Sequence, residues 1–311
     1  MSECYLYVYP QTAMRITFSL LLIFFYSFNV HCKQDSNATL QEEVKGEVRP
    51  LTAQSVTLMD DKVGETSGLL HFDNSIWTIN DSGNPNVLYR INPQTGAVIA
   101  EIRISNSANV DWEELTQDEN FIYIADIGDN LAKREEKHIY RVRKTDVIQA
   151  KNGESVNSEK IIFTYPDVNG SKISYDAEAL ISYNGSLHLF TKDLFETNHF
   201  TVSKEPGRIT AKFVEKFKTN GQVTGAAINP ENSTLLMVGY LGFGQRLFWE
   251  FKGITTGSFF KGVTNFYSLG GVDQTGQLEG VCFSPQSEVF LSNENYGGLK
   301  QQLWKLPYPI K

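Results

Sequence analysis

Short apolar runs follow one another along this chain, separated by polar turns of Gly, Asn and Asp. Ser75-Ile76-Trp77-Thr78-Ile79, Phe121-Ile122-Tyr123-Ile124, Ser186-Leu187-His188-Leu189-Phe190, Leu235-Leu236-Met237-Val238 and Val289-Phe290-Leu291 read as strands. Short apolar strands alternating with Gly/Asn/Asp turns, with no long helical stretch between them, are the mark of a β-rich chain. Each run is preceded at nearly constant distance by the same short phrase: Thr66-Ser67-Gly68-Leu69-Leu70, Trp112-Glu113-Glu114-Leu115, Ala177-Glu178-Ala179-Leu180, Thr224-Gly225-Ala226-Ala227 and Leu278-Glu279-Gly280-Val281. Self-similarity at a period of about 50 residues means a propeller or a solenoid. With no segment of helical period long enough to matter, the expected fold is an all-β propeller.

The spacing predicts five blades of four strands, with six as the runner-up because the wide second repeat could hide a degenerate blade. That repeat carries a polar insert over residues 145–158. The fifth repeat offers three strands, the last near Gln302–Leu306, before the chain ends at Lys311. Residues 53–59 precede the first blade and have no partner there. They are expected to complete the fifth blade, closing the ring and removing a frayed edge.

Outside the repeats the chain changes character. Met14-Arg15 followed by Ile16-Thr17-Phe18-Ser19-Leu20-Leu21-Leu22-Ile23-Phe24-Phe25 has the basic and apolar regions of a signal segment, so residues 1–32 read as a leader with Met14 as the true start. The apolar run ends at Cys32, which marks it for lipidation, although Asn29-Val30-His31 is not the usual small-residue approach. Ordinary cleavage near Val30-His31 is the alternative. Residues 33–50 are polar and read as a flexible tether, and residues 51–311 as the propeller domain. The expected location is therefore the cell envelope, lipid-anchored, or the periplasm or exterior. Of three cysteines, only Cys282 falls in the domain, where it reads as a buried small hydrophobe. A net charge of −8 with no Lys/Arg stripe excludes a nucleic-acid partner. A monomer is expected.

In a propeller the first strand of each blade lines the central channel. Aligning the phrases gives one inner ring, Ser67, Glu113, Glu178, Gly225 and Glu279. A second ring, one strand out, holds Asn80, Asp126, Lys192, Tyr240 and Glu294. Asp111, Asp176 and Glu65 precede the first ring by two residues and share its face. Asp81 adjoins Asn80. Glutamates converging on one axis raise each other's pKa, so either Lys192 and water screen them or a hard cation sits among them. Calcium suits Glu113, Glu178, Glu279, Asp126, Asn80 and Glu294, with Asn293 in reach, while Lys192, Tyr240, Asp81, Asp111 and Asp176 would contact a ligand. The bland alternative is that these acids bond backbone amides at strand ends. Zinc has less support, since His71, His138, His188 and His199 show no clustered spacing. Asp126-Ile127-Gly128-Asp129-Asn130 and Asn80-Asp81-Ser82-Gly83-Asn84 look like fragments of calcium loops, but turn chemistry explains them equally. No serine has the context of a hydrolase nucleophile.

Asn109-Val110-Asp111-Trp112-Glu113-Glu114-Leu115, Asp126-Ile127-Gly128-Asp129-Asn130, Asp176-Ala177-Glu178-Ala179-Leu180 with Thr191-Lys192, and Val223-Thr224-Gly225-Ala226 together resemble an uncharacterised family of exported bacterial propellers. The resemblance spans most of residues 60–300. More distantly, Glu279-Gly280 and Glu178-Ala179-Leu180 resemble phrases of the esterase-like phytase and the paraoxonase/gluconolactonase propellers. That resemblance implies a catalytic calcium held at the axis by Glu, Asn and Asp. Ser67 and Gly225 depart from it, as does the smaller blade count. Two functions follow as expectations. One is an envelope protein that binds a small molecule or a protein partner. The other is a calcium-dependent ester or phosphoester hydrolase with Glu113 or Glu178 as base.

Overall fold

The computed structural model describes residues 42–43, 48–242, 244–254 and 258–310. The leader, Met14 and Cys32 lie outside them. Almost every regular element is a strand, and the strands fall into antiparallel meanders. The first meander comprises Thr66–Phe72, Ser75–Asn80, Val87–Ile91 and Val98–Ser105. Trp112–Gln117, Phe121–Asp126, Lys137–Arg143 and Ser155–Thr164 make the second. The third is Ala177–Tyr183, Ser186–Thr191, Thr197–Ser203 and Lys212–Lys218. Gln222–Asn229, Thr234–Tyr240, Gln245–Lys252 and Val263–Gly271 form the next. The last joins Gln277–Phe283, Val289–Glu294 and Gln302–Leu306 to Gln54–Leu58, which pairs antiparallel from Gln302↔Leu58 to Lys305↔Gln54. The two ends of the domain are thus held in one sheet, as the unpartnered segment at residues 53–59 led us to expect.

The first strands of the meanders lie side by side in a closed order, the last packing back against the first. Apolar residues fill every gap between neighbouring meanders. Trp77, Ile79 and Leu88 meet Trp112, Ile124 and Tyr140, for example, while Ile76, Tyr89 and Ile91 meet Cys282, Phe290 and Leu303 across the closure. Each buried aliphatic or aromatic side chain contributes about 1.5–3 kcal/mol, so this packing, repeated round the ring, holds the sheets together. Cys282 is a buried free thiol, as expected.

Several features differ from the strand pattern, among them Gly207–Thr210, which pairs parallel with Ile161–Thr164. The polar insert over 145–158 carries a short helix, Lys144–Gln149, whose Val147 is buried in the first core cluster. Its end, Ser155–Asn157, pairs parallel with Arg103–Ser105 and couples the first two meanders. Within the stretch read as a tether, Glu42–Glu43 and Arg49–Pro50 lie in strand register with Phe217–Lys218 and Tyr267–Ser268. Among the described residues no helix is long and apolar enough to cross a membrane.

Candidate functional site at the axial channel

In every meander the register between first and second strands slips by one residue near the start of the first strand. Such a bulge turns the extra side chain away from the ladder. The extra residues are Gly68, Glu113, Glu178, Thr224 and Glu279. The aligned phrases therefore place the three glutamates equivalently, but miss the ring by one residue in the first and fourth repeats. Ser67 and Gly225 are not its members. Ser67 Oγ donates to Glu113 O at 2.7 Å, and Thr224 Oγ1 donates to Leu278 O at 2.6 Å, so both hydroxyls staple a meander to the next. Gly68 has φ +64°, and a Cβ there would lie 2.6 Å from Leu115 N, which leaves no room for a side chain.

Of the second ring, Asn80, Tyr240 and Glu294 lie opposite Thr66, Gln222 and Gln277, and the Lys192 N–H donates to Asp176 O at 2.9 Å. These four are equivalent. Asp126 is not: it lies opposite Trp112, one residue earlier. Its carboxylate is fully buried and accepts from Asp111 N at 3.1 Å, Arg134 Nη2 at 2.7 Å and Tyr140 OH at 3.3 Å. With its lone pairs engaged inside its own meander, Asp126 is withdrawn as an axial ligand. Asn293 is withdrawn too, since its amide bonds Glu294 O, Lys300 O and Trp304 Nε1.

At one end of the channel, which we term the upper mouth, Asp81, Asp111 and Glu113 each bring a carboxylate oxygen within 4.8 Å of the others. Gly128 makes room for this. A Cβ on it would sit 2.1 Å from Glu113 Oε1 and 2.6 Å from the Asp111 carboxyl carbon. Lys192 Nζ donates to Glu178 Oε1 and lies 5.7 Å from the centre of the Tyr240 ring. Gln277 donates to Glu279 Oε1 at 2.8 Å. Asp176 accepts from Asp129 N at 2.7 Å, and Asn80 donates to Lys62 O at 2.8 Å while its buried Oδ1 has no partner among the described residues.

The electrostatics follow from crowding. Burial, with Glu294 beside it, pushes Glu279 up to about 8; burial, with Asp81 and Glu178, does the same to Glu294. Burial and Asp81 raise Asp111 to about 6. Glu113 is driven well above the carboxylate range by burial, then by Glu178 and Asp81. Burial opposes the charge on Lys192, but Glu178, Glu279, Tyr240 and Glu113 outweigh it and keep the ammonium protonated. No hydrogen bond among the described residues reaches the carboxyls of Asp111, Glu113 or Glu294. One lysine thus stands among the seven carboxyl groups of Asp81, Asp111, Glu113, Asp176, Glu178, Glu279 and Glu294.

Three contributors were not singled out in advance. Arg246 is buried and lies 5.2 Å from the Tyr240 ring centre, donating to Gly242 O at 3.2 Å. Gly128 could have been read from its place in Asp126-Ile127-Gly128 only with the opposing carboxyls in view. Glu114 crosses the axis: fully buried, it accepts from Leu115 N and Ala226 N, both at 2.9 Å, and from the backbone of Leu69. It closes the channel between the acids and the lower mouth, a cavity of about 590 Å³ lined by Leu69, Leu115, Tyr183, Ala226 and Phe283 from all five first strands or their turns. The doubled Glu113-Glu114 in an apolar strand was the available signal. Away from the axis, His188 Nδ1 and His199 Nε2 do meet, at 2.9 Å, contrary to their spacing in the sequence.

No protein-family model matches the chain, and no curated protein sequence does. Solved structures do resemble it. The glutaminyl cyclase of Myxococcus xanthus is 12% identical, with a TM-score of 0.51 over 84% of this chain and 97% of that one. The PQQ-bound aldose sugar dehydrogenase of Streptomyces coelicolor is 11% identical, with a TM-score of 0.48 over 83% and 99%. The apo soluble aldose sugar dehydrogenase of Escherichia coli is 10% identical, with 0.45 over 82% and 99%. The likeness to the cyclase supports the β-propeller fold and says nothing about chemistry.

Proposed function

We propose that this chain is an exported envelope protein, lipid-anchored at Cys32, built as a five-bladed propeller with four strands per blade. Its upper mouth binds a ligand or partner through a positive charge. The observation that carries this reading is the juxtaposition of Asp81, Asp111 and Glu113 within 4.8 Å, while Lys192 is already engaged by Glu178. Like charges in a confined site favour whatever neutralises them, a proton or a cation. Calcium fits the donor set, which is all oxygen and without thiol or imidazole. Asp81, Asp111 and Glu113 would hold it, with Asn80 and Glu294 near.

Binding is favoured over catalysis because Glu114, fully buried, spans the axis to the backbone of Ala226. The second reading is a calcium-dependent ester or phosphoester hydrolase. It draws support from Glu178, buried and paired with Lys192 beside these acids, where a base for an attacking water would stand. There the ion would polarise the substrate. Glu178 would be the base, Glu113 being occupied as a ligand.

Two experiments test this. Wild-type chain should fractionate with membranes and Cys32→Ser should not; soluble wild type cleaved before Cys32 ends the anchored reading. A chelator should lower the melting temperature and added calcium restore it, with Glu178→Gln keeping the fold. An unchanged melting temperature across millimolar calcium leaves Lys192 as the sole counter-charge. Calcium-dependent cleavage of an aryl ester or aryl phosphate, lost in Glu178→Gln, would favour the second reading.

A further inference from the structure

Antiparallel connectivity puts the connections after each second strand and before each first strand at the same end of the channel as the acids. Those connections carry Val110, Leu131, Leu194, Phe195, Leu241 and Tyr296, all exposed, Leu131 at 72% and Phe195 at 59%. Most sit one or two residues from a mouth residue: Val110 beside Asp111, Leu194 after Lys192, Leu241 beside Tyr240, Tyr296 after Glu294. The connections at the opposite end expose one large apolar side chain among the described residues, Ile148. Folding does not require this asymmetry, since apolar side chains in water on one rim of a ring gain nothing until something covers them. Beside Leu194 and Phe195 lies a depression of about 620 Å³, flanked by Asp193, Asn198 and Lys216.

We propose that rim and mouth together form a peptide-docking surface. Its occupant is a protein segment that sets a lysine or arginine side chain over the acids and apolar side chains on the rim. This deepens the reading of a cation-binding mouth and rests on it. An apolar rim around a charged centre is the layout of an interface whose charge selects the partner and whose apolar contacts hold it. A bare metal ion would use the acids and leave the rim in water. An anionic membrane would cover the rim but would find no counter-charge in the acids at its centre, where Lys192 is already engaged by Glu178. A basic segment with apolar neighbours matches both features.

The test is a random heptapeptide phage library panned on the full chain carrying Cys32→Ser. Winners should hold Lys or Arg within two positions of an aromatic or aliphatic residue. Made as synthetic peptides, they should lose at least tenfold in affinity when that basic residue becomes Gln. They should lose as much against the double variant Leu131→Ser, Phe195→Ser, whose side chains are exposed and whose fold should be unchanged. Failure to enrich any peptide, winners without a basic residue, or winners indifferent to the double variant would each overturn the proposal. Melting curves with calcium and with lysine amide separate the two levels. A rise with either ligand but no peptide winners leaves the cation-binding mouth standing and removes the peptide. Flat curves and no winners remove both. Flotation of this chain with vesicles of phosphatidylcholine and phosphatidylserine, lost in the double variant, would replace the peptide by a membrane.

Discussion

Glu113 and Glu114 are neighbours in the chain and face the two halves of one channel; burial lifts both carboxyls well above the ordinary range, but only one of them finds donors among the described residues. At the lower half Glu114 is fully buried, yet backbone N–H groups from three first strands, Leu69, Leu115 and Ala226, converge on its carboxyl. These backbone donors oppose its desolvation only in part, since burial still holds the carboxyl well above the ordinary range, but they fix it in place and the group is structural. At the upper half Glu113 faces Asp81 and Asp111 with no donor among the described residues. Its desolvation is not offset within the fold, which is the condition for a binding site. What separates a structural acid from a functional one is whether the protein itself supplies the donors.

The contrast can be broken at several points. The largest effect should come from Lys192→Met, which leaves Glu178 buried beside Glu279 without a counter-charge. Removing one member of a buried pair costs about 3–5 kcal/mol. Urea unfolding should register that loss, and a change below about 1 kcal/mol would mean that Glu178 is protonated in the folded chain. Next, Glu114→Ala leaves the N–H groups of Leu69, Leu115 and Ala226 facing a void. At about 1–3 kcal/mol for an unsatisfied buried donor, a loss of about 3 kcal/mol is expected, unless water fills the gap. Calcium should not rescue this variant, because Glu114 is closed off from the upper mouth. Rescue by calcium would merge the two halves into one site.

A smaller effect concerns pH. Glu279 and Glu294 hold their protons up to about 8 when folded, whereas an unfolded glutamate releases its proton near roughly 4.3. Between those values the folded chain binds more protons than the unfolded one. Stability should therefore be fullest at the low end of that window and fall as pH rises through it. In chelator the melting temperature should drop between about pH 5 and pH 8, and Glu294→Gln should flatten the slope. A melting temperature that rises over this range would contradict the crowding of acids at the upper mouth. The smallest effect on stability should be that of Gly128→Ala, about 1 kcal/mol from crowding the ends of two side chains. It should nevertheless displace Glu113 and Asp111 and abolish any calcium-dependent shift in melting, which a calcium titration of the variant would check.

Much of the ring was legible because a propeller repeats itself. The strands, the pairing of the segment near residue 54 with Gln302–Leu306, and the equivalence of Glu113, Glu178 and Glu279 all follow from patterns that recur at one spacing. The misplaced members of the first ring share one cause. A bulge adds a single residue without changing the apolar pattern, and a one-residue slip turns a side chain to the other face. Ser67 and Gly225 therefore read as ring members in place of Gly68 and Thr224. Asp126 reads as axial for a different reason, because the spacing from the bulge to the end of the second strand varies with hairpin length, and Ile127 holds that place instead. Gly128 and Glu114 matter through groups that arrive from elsewhere in the chain or the ring, Asp111 and Glu113 in one case and Ala226 in the other. No local pattern reports such approaches. Arg246 is different: it lies directly opposite Tyr240 in the same hairpin, so the strand pattern alone places it beside the second ring.

The most direct measurement is the melting temperature of the chain at neutral pH, after chelation, against calcium and against lysine amide from micromolar to millimolar concentrations, with Glu113→Gln in parallel. A mouth that binds positive charge predicts a rise with at least one ligand in the wild type. Its size should follow RT ln(1 + [L]/Kd), about 2–4 kcal/mol well above half-saturation. The rise should be lost in Glu113→Gln. Flat curves for both ligands, or an undiminished rise in the variant, would show that the upper acids are neutralised by protons and Lys192 alone.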